Sequence, residues 1–247
     1  MKVKLFFNKS VHENAAYYYE LAKKAREKIK GLQQAIEETK KEMLKKTEKK
    51  VRIKKQREWF EKFHYSSTSS GKLMIGGRNA QQNDILVSRY MEDDDLFFHA
   101  DIQGGSVIIL KGGATASEQE LEEAAQFAAC FSKAWQNANA AVDVYAVKKD
   151  QLSKHESGGY VPTGAFAIHG ERKWFKGTKL ALRIGLSDNQ LIIAPENAKL
   201  QKSLILVPTK KGKEKGSLAK SLAKRYSVHP DDLLEILPNG KSKTISE

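Results

Sequence analysis

Between Val11 and Arg57 the sequence holds no proline and one glycine, Gly31. Nothing else in that stretch breaks a helix, and its apolar residues set the pattern. Tyr18, Ala22, Ala25, Ile29, Leu32 and Ile36 follow alternating steps of four and three, the seam of a coiled coil. Thr39 and Met43 continue it weakly before the almost wholly basic run KKTEKKVRIKKQR. One helix over residues 11–57 would be roughly 70 Å long at 1.5 Å per residue. An apolar stripe of that length does not stay bare in water. It folds back or pairs, and a homodimer through the coiled coil is one expected outcome. A solvated coiled-coil face and an RNA-facing arm both fit the stretch; the excess of lysine over glutamate favours the second.

Charge separates this arm from the rest. Residues 1–57 carry 18 Lys/Arg against 7 Asp/Glu, residues 58–200 carry 15 against 18, and residues 201–247 carry 10 against 5. A basic arm and a basic tail thus flank a nearly neutral body. That distribution suits a chain that grips a polyanion with its appendages, with nucleic acid the leading candidate. The single cysteine, Cys130, leaves no internal disulfide framework and no Cys-cluster metal site; within AAQFAACFSKAW it reads as a core residue. The start MKVKLFFNKS has no signal-peptide core, and no apolar run is long enough to span a bilayer. A cytoplasmic protein with no membrane attachment is expected.

An aromatic and Ser/Gly cluster, WFEKFHYSSTSSG, ends the arm and puts a domain boundary near residue 57. Residue patterning then predicts strands near 72–75, 96–99, 106–110, 142–147, 165–169, 181–184, 190–194 and 203–207, with a helix near 80–90. Ser117 and Glu120 form a capping box that starts a second, alanine-rich helix reaching about Trp135. The fold class is α+β: a mixed sheet with packed helices, preceded by a long helical coiled-coil arm over 1–57. Residues 58–200 form the body, and 201–247 a basic tail with two short helices. In outline the tail resembles a helix-turn-helix, but its second helix carries Asp231, Asp232 and Glu235, which would repel DNA phosphates. A small docking module with a basic first helix is expected instead.

The stretch MIGGRNAQQNDILVSRYMEDDDLFFHADIQGG, from Met74 to Gly105, gathers glycines, an arginine and amides at one strand end. Gly76 and Gly77 permit close approach, Asn79 sits at a helix N-cap, and free helix N–H groups with Arg78 suit a phosphate. Gln81, Gln82 and Asn83 add amides able to read base edges or 2′-hydroxyls. A tight strand-to-helix turn with a polar helix face accounts for the same residues, so both readings stand. The Gly-Gly pair lacks the lysine and Ser/Thr of a P-loop, and nucleotide hydrolysis is not expected. A metal-dependent nuclease would have to use His99, Asp101 and the acidic turn from Glu92 to Asp95. Two candidate ligands, placed two apart on one face of an extended segment, fall short of a dedicated site. No Gly-x-Ser-x-Gly elbow is present. Neither a catalytic residue, a metal nor a cofactor is expected.

Together WFEKFHYSS, KLMIGGRNAQQNDILVSRYMEDDDLFFHADIQGGSVIILK, EAAQFAACFSKAW, QLSKHESGGYVPTGAFAIHGERKWFKG and LALRIG resemble the RNA-binding NFACT-R domain of the NEMF/RqcH ribosome-quality-control family, the fibronectin-binding-like proteins. The earlier run NKSVHENAAYYYELAKKAREKIKGLQQAIEETK resembles the coiled coil that precedes that domain. GGRNAQQN followed about sixteen residues later by HAD is the specific pair of motifs. The resemblance implies tRNA and the large ribosomal subunit as partners. Full-length members look for large subunits that still carry peptidyl-tRNA, hold tRNA there, and support template-free extension of the nascent chain. This chain is expected to lack the NFACT-N and helix-hairpin-helix parts, as a fragment or a short member, and not to direct tailing alone.

Carried over residue by residue, the first motif implies RNA contact at Gly76, Gly77, Arg78, Asn79, Gln81, Gln82 and Asn83, and the second at His99 and Asp101. Gly164, Phe166 and Gly170 match a later Gly-x-Phe segment, followed by Arg172 and Lys173 as phosphate contacts. His169 stands where the family more often has a basic residue, and His155-Glu-Ser-Gly departs from its loop. A non-enzymatic RNA-binding part of a ribosome-associated quality control factor is the function implied. The alternative is a protein-docking adaptor of the ribosome or quality-control machinery whose RNA contact is incidental.

Overall fold

A computed structural model describes residues 3–47, 58–156, 159–188 and 190–245, which divide into two compact units, Met1–Arg57 and Glu58–Glu247. In the first, helix α1 spans Val11–Thr47. Ser10 starts it: the hydroxyl accepts from Glu13 N–H (3.3 Å) while Ser10 N–H donates to the Glu13 carboxylate (2.7 Å). Asn14 is buried and ties down the lead-in segment. Its oxygen accepts from Phe6 N–H (2.8 Å), and its amide donates to the Phe6 and Lys9 carbonyls (3.1 Å each). Further along, the predicted seam lies open: Ile29, Leu32 and Ile36 are 55%, 64% and 53% exposed. The last part of the predicted helix, residues 48–57, lies outside the described residues.

The second unit begins with a 3-10 turn at Trp59–Lys62. There follow β1 (His64–Ser67), β2 (Leu73–Gly76), helix α2 (Ala80–Ile85) continuing as a π turn to Tyr90, β3 (Leu96–Ala100) and β4 (Ile108–Leu110). Next come α3 (Glu118–Cys130), α4 (Lys133–Gln136) and β5 (Ala141–Lys148). Two short pairs follow, β6 (Leu152–Ser153) with β9 (Ala167–Ile168) and β7 (His155–Glu156) with β8 (Gly159–Tyr160). The chain closes with β10 (Lys173–Lys179), β11 (Leu182–Ser187), β12 (Gln190–Pro195), β13 (Gln201–Lys213), α5 (Lys215–Tyr226), α6 (Pro230–Ile236) and β14 (Ser242–Ile245). The α+β class holds. Where one mixed sheet was expected there are two larger ones, ordered β1-β2-β4-β3-β5-β10 and β12-β11-β13-β14, and every ladder is antiparallel.

Strand alternation divides the core. Met74, Phe98, Ile108, Leu110, Val144 and Ala146 join one cluster; Ile75, Phe97, Ile109 and Val147 join the other. Phe63, Leu86 from the π turn, Met91 after it and Val107 complete the second cluster. The first contains α3, whose Ala124, Ala125, Phe127, Ala128 and Ala129 are fully buried. This helix touches β3, β5 and β10 of one sheet and β12 of the other, so it lies between the two. Alanine keeps the helix thin enough for both sheets to approach. The helix stops at Cys130, short of the predicted Trp135, because Ser132 intervenes. Its hydroxyl donates to Ala129 O (2.7 Å) and accepts from Ala134 N–H (3.1 Å), which starts α4 afresh.

Residues 201–247, read from the sequence as a basic tail, are built into the same core. β13 is interior to the second sheet, α5 buries Leu218, Ala219, Leu222, Ala223 and Tyr226, and α6 buries Leu233. The Trp135 indole N–H donates to the Ser242 hydroxyl (3.0 Å), joining α4 to β14. Among the described residues no helix is long and apolar enough to cross a membrane.

Candidate nucleic-acid interface

At the end of β2 the backbone runs too close to its neighbours for side chains. A Cβ on Gly76 would lie 2.3 Å from Ile108 Cδ1, and one on Gly77 would lie 2.0 Å from Asn83 Oδ1. Gly77 N–H donates to Val107 O (3.1 Å) and Val107 N–H to Asn83 Oδ1 (3.3 Å), stitching α2 to the entry of β4. Asn79 is the N-cap, as the sequence predicts, its oxygen accepting from Gln82 N–H (2.9 Å). Gln82 accepts from Arg78 N–H (2.9 Å) and donates to Lys62 O (3.3 Å). The Arg78 guanidinium donates from Nη2 to the carbonyls of Glu61 (3.2 Å) and Phe63 (3.1 Å), and Nη1 lies 4.0 Å from the Glu235 carboxylate. Gln81 is exposed. The side chains of Asn79, Gln82 and Asn83 thus serve the turn itself.

Around this turn lies a cleft of about 590 Å³. One side is the turn, from Gly77 to Asn83; a second is His99 with residues 103–107; a third is the loop Pro162–Phe166. That loop is clamped over α2. Gly164 takes φ +81°, a Cβ there would meet Ala80 Cα at 2.5 Å, and its N–H donates to Asp84 Oδ1 (3.0 Å). The Lys154 ammonium bonds the Asp84 carboxylate and the Ala165 carbonyl, and lies 3.9 Å from the Phe166 ring centroid.

The cleft is electrically distinctive: none of the described residues lining it is a carboxylate. Arg78 lines it, the Lys133 stem lies against Gly104, and the Lys215 ammonium bonds Asn239 at the wall (2.9 Å). Two histidines also line it. Burial, then the charges of Arg78 and Lys215, push His64 down to about 3. Burial also lowers His99, against the opposing pull of the Ala100 and Gly105 backbone and the Asp101 carboxylate.

Other residues singled out by sequence lie elsewhere. Asp101 does not line the cleft: β3 ends at Ala100, and Asp101 is exposed with its N–H on Asp143 O (2.7 Å), its carboxylate charge still felt by His99 and Tyr145. Arg172 stacks over Tyr145, a wall residue, at 4.7 Å. Lys173 pairs with Glu118 (2.6 Å) and does not line the cleft. Gly170 occupies a positive-φ turn (+76°) before β10, also outside the cleft. The acidic turn brings ligand atoms of Glu92, Asp94 and Asp95 within 4.8 Å of one another, without His99. The Lys111 ammonium lies on two of them, 2.9 Å from Glu92 and 2.6 Å from Asp95. Conversely, His64, Phe131 and Ser132 line the cleft though the sequence offered them only as parts of family-like runs, Asn239 lines it without any signal, and Gly104 and Gly105 lay in the quoted stretch as a second glycine pair.

Residues 62–170 match the family described as NFACT protein RNA binding domain, and the three sides of the cleft fall within that range. Over 211 residues the chain is 39% identical to the archaeal Rqc2 homolog aRqcH of Methanocaldococcus jannaschii, covering 80% of this chain and 31% of that protein. The chain belongs to the NEMF/RqcH family. Human ribosome quality control complex subunit NEMF is 34% identical over 183 residues, which is 69% of this chain and 17% of the human protein. The Rqc2 homolog RqcH of Bacillus subtilis is 35% identical over 98 residues, 39% of this chain and 17% of that one. This NEMF/RqcH-family chain therefore spans about a third of its archaeal relative and less of the other two. A solved structure, the C-terminal of the fibronectin/fibrinogen-binding protein from Streptococcus suis, is similar at 26% identity and a TM-score of 0.42, covering 68% of this chain and 76% of that one.

Proposed function

We propose that this NEMF/RqcH-family chain is the RNA-binding part of a ribosome-associated quality control factor. It contacts tRNA or ribosomal RNA on large subunits in the cytoplasm and works by binding rather than catalysis. The observation that carries this reading is convergence. Three segments well apart in sequence meet in one cleft that has no carboxylate in its lining and has Arg78, Lys133 and Lys215 in or beside it, with the Glu235 carboxylate beside Arg78. A phosphate backbone meets cations there, and phosphate contacts supply most of the affinity for nucleic acid. The basic arm, with 18 Lys/Arg against 7 Asp/Glu, supplies the sequence-independent share, and the cleft supplies selectivity. The relatives' names, quality control complex subunit and Rqc2 homolog, support the ribosomal setting.

The test is binding of the whole chain to deacylated tRNA and to an unrelated hairpin of matched length, at two salt concentrations. We expect tRNA to be preferred, with affinity falling steeply as salt rises because bound counterions are released. Equal, salt-insensitive binding of both RNAs would favour a protein-docking adaptor.

A further inference from the structure

We propose that the cleft takes one unstacked nucleobase, held between His64 and His99, so that the domain selects an unpaired nucleotide over a duplex. The inference rests on the RNA-binding reading above and adds what part of the RNA enters. The shape comes first. A concavity of about 590 Å³ has the size of a small-molecule site, roughly 300–1,000 Å³. Duplex RNA presents a deep major groove that side chains cannot read and is bound across its surface. Unpaired bases, by contrast, can be splayed out, stacked on aromatic rings and read at their edges.

The walls suit such a guest. The His64 ring stacks on Phe131, with centroids 4.1 Å apart and planes at 28°, so one of its faces is covered. Its Nδ1 is buried without a hydrogen-bond partner. That nitrogen is unsatisfied whichever tautomer is present, so Nε2 is the ring nitrogen left to meet a ligand. His99 sits against Tyr145, with ring centroids 5.9 Å apart, and a Cβ on Gly105 would come within 3.2 Å of His99 Nε2. The Gly105 backbone thus lies against the imidazole edge and holds the ring in place, leaving the ring face towards the cleft as the surface a base would stack on. Burial disfavours the charged form of both imidazoles. A neutral imidazole offers one donor and one acceptor, which fits a base edge or a 2′-hydroxyl. Arg78 at the same wall suits the phosphate of that nucleotide.

The experiment uses a short single-stranded RNA carrying 4-thiouridine, free and annealed to its complement. Each form is titrated against the full chain by fluorescence anisotropy, then irradiated, and cross-linked peptides are identified by mass spectrometry. The single strand should bind roughly tenfold more tightly than the duplex. Cross-links should fall on peptides that hold His64, His99 or Tyr145. His64→Leu should erase the strand preference while leaving duplex binding unchanged. Should that variant fail to fold, the cross-links of the unsubstituted chain decide alone. Firm RNA binding with cross-links confined to other surfaces would overturn the pocket and leave the RNA-binding reading in place. No binding of either RNA would overturn both.

Discussion

His64 is a titratable group kept away from its charge. Its pKa is held at about 3 against an ordinary 6.5, first by burial and then by Arg78 and Lys215. Below pH 6.5 the unfolded chain therefore takes up a proton that the folded chain refuses. The His64 contribution is fully present above about 6.5 and is lost progressively as the pH falls towards 3. Denaturant titrations at a series of pH values should show stability declining across that window, by at most about 1.4 kcal/mol per pH unit from this residue. His64→Leu should flatten that part of the slope; an unchanged slope would show that His64 titrates normally in the fold.

Arg78 has a structural task besides the proposed RNA contact. Arg78→Ala removes the donor from the Glu61 and Phe63 carbonyls, and should cost about 1–3 kcal/mol of stability. In the folded variant, RNA affinity should fall by about 1–3 kcal/mol if the guanidinium also meets phosphate. Lowered stability with undiminished RNA affinity would leave Arg78 as a brace for the aromatic turn. At this scale the sequence located the turn and its N-cap, because glycine spacing and Asn79 are local signals. It did not show that Gln82 reaches Lys62 or that Asn83 receives Val107 N–H, since those partners are fixed only once β1 and β4 flank β2.

Among the elements, α1 makes the plainest demand on its surroundings. Its Ile29, Leu32 and Ile36 are more than half exposed along one coiled-coil seam. We propose a second copy of the chain as the partner. Sedimentation equilibrium should show mass rising towards a dimer with concentration, and Leu32→Glu should hold the chain monomeric without altering unfolding of residues 58–247. A single mass at all concentrations would overturn the homodimer. The elements that sequence reading missed share a cause. β1 and β10 alternate weakly, HYSS and KWFKGTK, and β10 is further interrupted by a bulge between Phe175 and Thr178. Each is specified by the neighbour it pairs with. α5 shows the converse: its lysines were legible as a basic helix, while the inward stripe from Leu218 to Tyr226 was not seen to complete the core.

At the scale of the whole molecule, positive charge is concentrated at the ends of the sequence while residues 58–200 in between, with 15 Lys/Arg against 18 Asp/Glu, are close to neutral. A chain so arranged can tolerate high salt poorly in total affinity and well in selectivity, because screening weakens the phosphate contacts more than a buried base contact. The placement of α3 between two sheets has a further consequence, for where the match to the RNA-binding domain stops and where cooperative stability stops. The match to the RNA-binding domain ends at Gly170, but β5 gains a second neighbour only from β10, and α3 packs against β12 of the other sheet beyond that point. A polypeptide cut after Gly170 would carry every matched motif and yet bare a long strand edge and a row of alanines beside Phe127. Such edges invite pairing between molecules. In a centrifugation assay that polypeptide should pellet, while one covering 58–247 stays in the supernatant; equal recovery of both would show the later residues to be dispensable. The stretch matched to the RNA-binding domain is thus shorter than the smallest piece that can be expected to survive in water.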